Sequence, residues 1–572
     1  MKTTKNIARL AITAGLTAVL SLGGVMAPIT MAFAEGTTTA TNGSVTIKNV
    51  EGNTTEFKGY QIFKADVATV EGKTVASNIA WANDSVKAAI EDVIKKEDTS
   101  YRGSTAQDAA DWITNKVTGT NDAYRVGPGD IAYKIAAAVD DLADEKTTTN
   151  GVASGLEHGY WLFVTEAGTI GEGEAGTSPI FAVVGDAPVN VNEKTGIPTV
   201  EKKIVSDADN AEHDAADSQI GQDVTYNLYG TIAENYDKYE TYFYEFSDQI
   251  SKGLTLQENS ATVYLYDTVA DAKVDLTHKK GKDISNSFTQ SAEAFDGATN
   301  AKTTTWTCNN LKDISEITNK SCIVVSYKAQ INEDAIVAGT NSNDNTVILN
   351  YSNNPMNKDS KGQTPPDTVR DYTYGLRINK VDLGTETKLP NAKFTITTNG
   401  DEKNKNAKYV DERGNLNTTE VILTTNSDGV ITLTGLDAGV YTVKEVSAPD
   451  GYAAVDPFTF EIKPTMTDDG PAAGLTTVTG ELKTSQTTKV IAGLNDTSAG
   501  KVGDNKLDFK EGTLTNTDDG TFNITVGNTK QINLPLTGLN GVTFTWIAGG
   551  AVLCIGVAHL IRSRKRDESS EE

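Results

Sequence analysis

Short runs of alternating apolar and polar residues, separated by Gly, Asn and Asp, recur along this chain; DVTYNLYGTI, TYFYEFSDQI, ATVYLYDTV, CIVVSYKAQI and NTVILNYSN are clear cases. A two-residue period buries every second side chain of a strand, so the apolar residues can be hidden by packing sheet against sheet. SVTIKNVEGNTTEFKGYQIFKAD reads as two strands, and strands return at HGYWLFVTEA and SPIFAVVG. Between them SVKAAIEDVIKK, TAQDAADWITNKV and GDIAYKIAAAVDDLADE carry apolar residues every three or four positions and read as short amphipathic helices. A further β unit runs from YGLRINKVD through AKFTITT, GVITLTGLDAGVYTVKEVSAPDGY and FTFEIK to GTFNITVGN, with a Thr-, Gly- and Asp-rich loop expected at about residues 465–500. The fold class is all-β and multi-domain: β-sandwiches in tandem, the first with a helical insertion.

The two ends are specialised. MKTTKNIAR is basic, LAITAGLTAVLSLGGVMAPIT is apolar, and Ala32-Phe33-Ala34 offers small residues for cleavage; residues 1–34 read as a secretory signal peptide. Near the other end stand LPLTG at 534–538, an apolar segment at 542–561 and a tail, 562–572, that opens with basic residues. The apolar segment is long enough to span a bilayer, and the basic residues behind it would stay on the cytoplasmic side. An ordinary single-pass anchor needs those two parts but not LPLTG. The three in this order resemble the cell-wall sorting signal of Gram-positive surface proteins. That resemblance implies that a sortase cuts between Thr537 and Gly538 and joins Thr537 to an amine.

Composition excludes several functions. The net charge is −26 at pH 7. A chain so acidic repels nucleic acid and anionic surfaces. The sequence has three cysteines, one of them, Cys554, in the apolar segment. Cys308 and Cys322, in WTCNN and KSCIVV, are expected to form a disulfide in an exported chain; two buried free thiols are the alternative. No histidine lies beside either cysteine, and no HExxH or CxxC pattern, GxSxG elbow or phosphate-binding Gly loop is present. No metal site, cofactor or enzymatic activity is expected.

The unit at 374–532 resembles a Cna B-type domain through INKVD, LPNAKF, GLDAGVYTVKEVSAPDGY and VGN. The unit at 197–373 resembles the isopeptide-forming middle domain of backbone pilins through PTVEKKI, FSDQISKGLT and NTVILNYSNNP. With GYWLFVTEA and VNVNEKTG in the unit at 35–196, the resemblance covers nearly the whole exported chain. The family is the major, shaft-forming subunit of Gram-positive sortase-assembled pili. It implies immunoglobulin-like sandwiches, no cofactor, and attachment to the cell wall as part of a surface pilus. The implied partners are pilin-specific and housekeeping sortases, other copies of the chain, minor pilins, peptidoglycan and host surface ligands. The other reading is a wall-anchored adhesin or minor pilin that grips host matrix or glycans.

The resemblance also implies one self-formed bond per isopeptide domain, from a lysine amine to an asparagine side chain beside an acid. In the last unit it selects Lys380, Glu445 and Asn528. In the middle unit it selects Lys202, Asp248 and an asparagine. Val200, Lys202 and Ile204 share one strand face while Lys203 points the other way and reads as solvated. Asn345 and Asn353 lie on one face; Asn345 opens the strand and is preferred. The acid is expected to be neutral and to donate to the asparagine carbonyl. Shaft subunits carry the acceptor lysine for the next Thr in a VxVYPK motif. VNVNEK keeps the VxV part and the lysine, Lys194, but has Asn192-Glu193 in place of Tyr-Pro. Lys194 is the candidate acceptor, with Lys58 and Lys64 as alternatives.

Overall fold

The computed structural model describes residues 43–530 except 49–53, 71–72, 118–126, 141, 143–144, 193–195, 338–340, 399–406, 468–469, 485–491, 496–511 and 516–519. The expected signal peptide, Lys194, the LPLTG motif with Thr537 and Gly538, and the apolar segment 542–561 lie outside the described residues. Among those described, no helix is long and apolar enough to cross a membrane.

Strands dominate, and the described residues are mostly β with three helices of nine residues or more, all toward the N-terminal side. Lys73–Trp81, Phe57–Val70, Gly159–Thr165 and Ile180–Val184 lie side by side in a sheet. The Gly159–Thr165 strand is apolar on both faces because both are covered. Leu162 and Val164 meet the helices Asp84–Glu97, Ala106–Val117 and Ile131–Val139. Trp161 and Phe163 meet Val45, Ile47 and Val191 from a small sheet of Gly43–Lys48, Val152–Leu156 and Val189–Asn192. Asn83 caps the first helix by accepting from the Val86 N–H at 2.8 Å. The Lys73–Trp81 strand was not foreseen, since Ala, Ser and Asn blur the alternation of KTVASNIAW.

The middle of the chain forms two facing sheets. One runs Glu212–His213, Val200–Val205, Asp223–Thr231, Cys322–Ile331, Thr262–Tyr266 and Lys282–Asp283. The other runs Ala215–Asp217, Asp367–Tyr372, Asn343–Ser352, Tyr244–Ser251, Ala301–Cys308 and Thr289–Gln290. Their inner faces enclose one core, rich in Tyr, Ile and Val. The last part repeats this plan. Val430–Leu436, Tyr374–Asp382, Thr521–Lys530 and Tyr452–Ala453 form one sheet; Lys393–Thr398, Gly439–Ser447, Phe458–Thr467 and Gly474–Thr484 are central to the other. Tyr374–Asp382 and Thr521–Lys530, far apart in sequence, are parallel neighbours, with Lys380 opposite Val526 and Asp382 opposite Asn528. The loop expected at about 465–500 is partly a strand. Gly474–Thr484 pairs with Phe458–Thr467 and buries Val478 and Leu482; threonine is a good strand former, so a Thr-rich stretch there is not evidence for a loop.

The expected disulfide is absent: Cys308 and Cys322 are both free and buried. Cys308 belongs to the middle core, whereas Cys322 lies with Tyr229, Tyr266, Ala272 and Val324 in a separate cluster. Strand parity explains this, because Ile323 and Val325 take the inward positions and turn Cys322 to the outer face of its sheet. Burial pushes the Cys322 thiol up to about 12 and raises Cys308 as well, so neither is a ready thiolate. A fragment ending at Lys530 should therefore give almost no reaction with Ellman's reagent while folded and two thiols per chain once denatured; none after denaturation would mean a disulfide.

Only Thr373 separates the strand Asp367–Tyr372 of the middle sandwich from Tyr374–Asp382 of the last. The junction is hydrogen-bonded: Ile220 N–H and Gln219 Nε2 each donate to Gly435 O at 3.0 Å, and Arg370 Nη1 donates to Ala473 O at 2.9 Å. Two carboxylates meet there on one donor, the Ala438 N–H, which reaches Asp217 Oδ2 at 3.0 Å and Asp437 Oδ1 at 2.8 Å. Burial, and then the neighbouring Asp217 and Asp207 charges, hold Asp437 well above the usual carboxylate range. Burial likewise raises Asp217 to about 6. Groups raised in this way stabilise the folded chain fully below their unfolded pKa, near 4, and lose that contribution as pH rises through the folded value. Stability carried by Asp217 should thus fall between about pH 4 and pH 6. Asp437→Asn keeps an acceptor for Ala438 and cannot ionise beside Asp217, so thermal scans should show a flatter loss of stability as pH rises; an unchanged profile would mean the pair does not set it.

Candidate functional site

Among the described residues two lysines have no solvent exposure, Lys202 and Lys380, and each lies in the core of a different sandwich. Strand alternation puts them there. In Val200–Val205 the buried positions are Lys202 and Ile204; in Tyr374–Asp382, Ile378 and Lys380 are buried with Arg377 and Asn379 half-buried. Lys203 faces away but is not simply solvated, since its amine is half-buried between Asp214 and Glu201, the latter at 3.2 Å.

Around Lys202 the two sheets contribute equally. From its own sheet comes Tyr327, on Cys322–Ile331; from the facing sheet come Asp248, on Tyr244–Ser251, and Asn345, on Asn343–Ser352. Lys202 Nζ donates to Asp248 Oδ1 and, at 3.1 Å, to the Tyr327 hydroxyl. That hydroxyl donates to Asp248 Oδ2 at 2.6 Å and accepts from Asn345 Nδ2 at 2.6 Å. The rings of Tyr226 and Tyr327 lie 5.6 and 5.4 Å from the amine, and Trp306 stacks on Tyr327 at 5.2 Å. Below the site, the backbone N–H of Lys202 donates to Asp367 Oδ2 at 2.6 Å. Asn353 is elsewhere: its Oδ1 accepts from Ser360 Oγ at 2.7 Å.

The second cluster is built differently. Lys380 and Asn528 stand on neighbouring parallel strands of one sheet, and Glu445, on Gly439–Ser447, reaches them from the facing sheet. Glu445 Oε1 is 3.6 Å from Lys380 Nζ. Asn528 Nδ2 donates to both Glu445 oxygens, at 3.2 and 3.1 Å, and to Ala453 O at 2.7 Å. Val455 N–H donates to Glu445 Oε2 at 2.8 Å, and the Phe394 ring lies 5.9 Å from the amine.

Burial disfavours the charged amine and brings both Lys202 and Lys380 down to about 8, even with a carboxylate opposing the shift. Each set therefore joins an amine that gives up its proton more readily than an ordinary lysine, an acid and a primary amide. One expectation is corrected: the amide nitrogen, not the carbonyl oxygen, faces the acid or the phenol. Asn528 Nδ2 donates to the Glu445 carboxylate and Asn345 Nδ2 to the Tyr327 hydroxyl. Asn345 Oδ1 and Asn528 Oδ1 are left without a hydrogen-bond partner among the described residues. Sequence reasoning missed Tyr327. Its signal was a hydroxyl on the apolar face of CIVVSYKAQI, where a buried phenol needs a partner. No group of His, Cys, Asp and Glu among the described residues is arranged to hold a metal ion. The alternative acceptor lysines are in ion pairs, Lys58 with Glu145 at 3.9 Å and Lys64 with Glu157 at 3.1 Å.

Comparison with known proteins adds the following. A family model described as a SpaA prealbumin-like fold domain matches residues 375–471. The chain is similar to the trypsin-resistant surface T6 protein of Streptococcus pyogenes serotype M6, 27% identical over 418 residues that cover 65% of this chain and 70% of the relative. Among solved structures, the T6 backbone pilin of Streptococcus pyogenes matches with a TM-score of 0.47 at 19% identity, covering 86% of this chain and 98% of that one. The major pilin SpaD of Corynebacterium diphtheriae matches with a TM-score of 0.42 at 17% identity, covering 86% and 98%.

Proposed function

We propose that this chain is the shaft-forming subunit of a sortase-assembled pilus on a Gram-positive cell surface, and that each buried lysine forms an isopeptide bond within its own sandwich. Lys202 joins Asn345 with the help of Asp248, and Lys380 joins Asn528 with the help of Glu445. The observation that carries the reading is the pair of fully buried lysines, each with a carboxylate and an asparagine amide in an apolar shell. An amine with a pKa of about 8 is neutral in roughly one molecule in ten at pH 7, against about one in three thousand for an ordinary lysine. The ammonium passes a proton to the carboxylate, and the free Nζ attacks the asparagine Cγ. The Nζ–Cγ bond forms and the Cγ–Nδ2 bond breaks; of the two protons that Nζ loses, the first stays on the carboxylate and the second goes to Nδ2, which leaves as ammonia.

The same reading assigns the ends and the divisions of the chain. Residues 1–34 are removed on export, the units divide near 196 and 373, and a sortase cuts between Thr537 and Gly538. Thr537 is then joined to Lys194 of the next copy, and the last copy is joined to peptidoglycan by the housekeeping enzyme; minor pilins complete the pilus. The similarity to a streptococcal surface protein and the order of motifs in the C-terminal region support this assembly.

Two measurements test it. The intact exported protein should be lighter than its sequence by two ammonia molecules, and Asp248→Ala or Glu445→Ala should each restore one. A mass equal to that of the sequence would sink the bond assignment. In wall extracts Lys194→Ala should leave monomer in place of a high-mass ladder, and a surviving ladder would move the acceptor to Lys58, Lys64 or another lysine.

A further inference from the structure

The two lysine clusters differ by one hydroxyl. In the last sandwich a glutamate spans the reacting groups alone, with Glu445 next to both Lys380 Nζ and Asn528 Nδ2. In the middle sandwich the acid is an aspartate, one methylene shorter. Asp248 meets the amine through Oδ1, while its Oδ2 is bound to the Tyr327 hydroxyl. The position that bridges the two nitrogens is taken by that phenol, 3.1 Å from Lys202 Nζ and 2.6 Å from Asn345 Nδ2.

We propose that Tyr327 is a catalytic residue of the middle site, whose hydroxyl carries a proton from the attacking lysine nitrogen to the leaving amide nitrogen. The proposal rests on the isopeptide reading above. Once Nζ has bonded to Cγ it holds one proton too many, and Nδ2, now tetrahedral with a lone pair, needs one to leave as ammonia. The Tyr327 oxygen accepts the proton from Nζ while its own proton turns from Asp248 to Nδ2. Nothing is consumed, and the phenol ends as it began. Asp248 takes the first proton of the ammonium and holds the hydroxyl in place. Burial and the Asp248 charge keep the phenol well above its ordinary pKa, so it stays neutral and passes on a proton only as it receives another. Stacking between Trp306 and Tyr226 fixes the ring, at 5.2 and 5.5 Å, so the hydroxyl is held within hydrogen-bond reach of both nitrogens.

The test is a pulse of cell-free synthesis of the full chain, followed by mass analysis of the two crosslinked peptides over time. In Tyr327→Phe the 202–345 crosslink should form about a hundredfold more slowly, while the 380–528 crosslink keeps its wild-type rate. Equal rates at 202–345 in variant and wild type would overturn the relay and leave the bond itself standing. A wild-type chain with no 202–345 crosslink would overturn both. Should the phenylalanine variant fail to fold, 3-fluorotyrosine at position 327 decides, because it keeps ring and hydroxyl and lowers the phenol pKa. A shifted pH–rate profile for the middle crosslink supports the relay, and an unchanged profile rejects it.

Discussion

An ammonium group buried in an apolar core is the constraint on which the two larger sandwiches depend. Lys202 and Lys380 are each offset by one carboxylate, and removing that partner from a buried pair costs roughly 3–5 kcal/mol. In the middle sandwich the partners come from opposite sheets, with Lys202 and Tyr327 on one and Asp248 and Asn345 on the other. The pair therefore fixes how the sheets face each other. A one-residue slip of Val200–Val205 would turn Lys202 outward and bring Lys203 in, away from Asp214. Register, closure and the reactive geometry are one property here.

The two clusters would reach the proposed chemistry by different routes. In the last sandwich the lysine and asparagine are neighbours in one sheet and the acid crosses over; in the middle one the asparagine and acid are neighbours and the lysine crosses over. A bond at the first ties strand to strand, and at the second ties sheet to sheet. Each proposed bond would close a loop of roughly 145 residues, worth about 5 kcal/mol in the chain-entropy account of crosslinks. The longer reach of Glu445 over Asp248 fits this difference, as does the tyrosine that makes up the missing length.

Strand alternation carried much of this into the sequence. It separated Lys202 from Lys203, and it put Lys380 with Ile378 and Glu445 with Tyr441 and Val443 on inward faces. What it could not show was which faces meet. Asn345 and Asn353 share a face in the pattern, but the strand ends at Ser352, and Asn353 leaves to bind Ser360. The cysteine pair failed for a related reason: flanking a polar stretch says nothing about whether two side chains emerge on the same side of a sheet. Tyr327 was hidden in plain composition, one aromatic in a core that holds many. Only the convergence of three strands gives its hydroxyl three partners.

The proposed bonds also define a load path, and the strand directions show where it is weakest. In the last sandwich pull enters at Tyr374, runs along the strand to Lys380, crosses to Asn528 and leaves by Lys530. The parallel pairing of those strands keeps nearly all of the sandwich outside that path. In the middle sandwich pull entering at Val200 crosses from Lys202 to Asn345, but it must still travel through residues 346–372 to reach Thr373. Along that stretch Asn343–Ser352 and Asp367–Tyr372 are antiparallel, with Asn345 opposite Val369. Force at Asn345 and at Tyr372 acts on the same end of this hairpin and peels its hydrogen bonds one after another. Burial of Val347, Leu349 and Val369 in the middle core, and the carboxylate of Asp367 on the Lys202 backbone, are what hold it shut. The sandwich that looks doubly secured, by sheet contact and by crosslink, therefore keeps one segment whose resistance to pull is purely non-covalent.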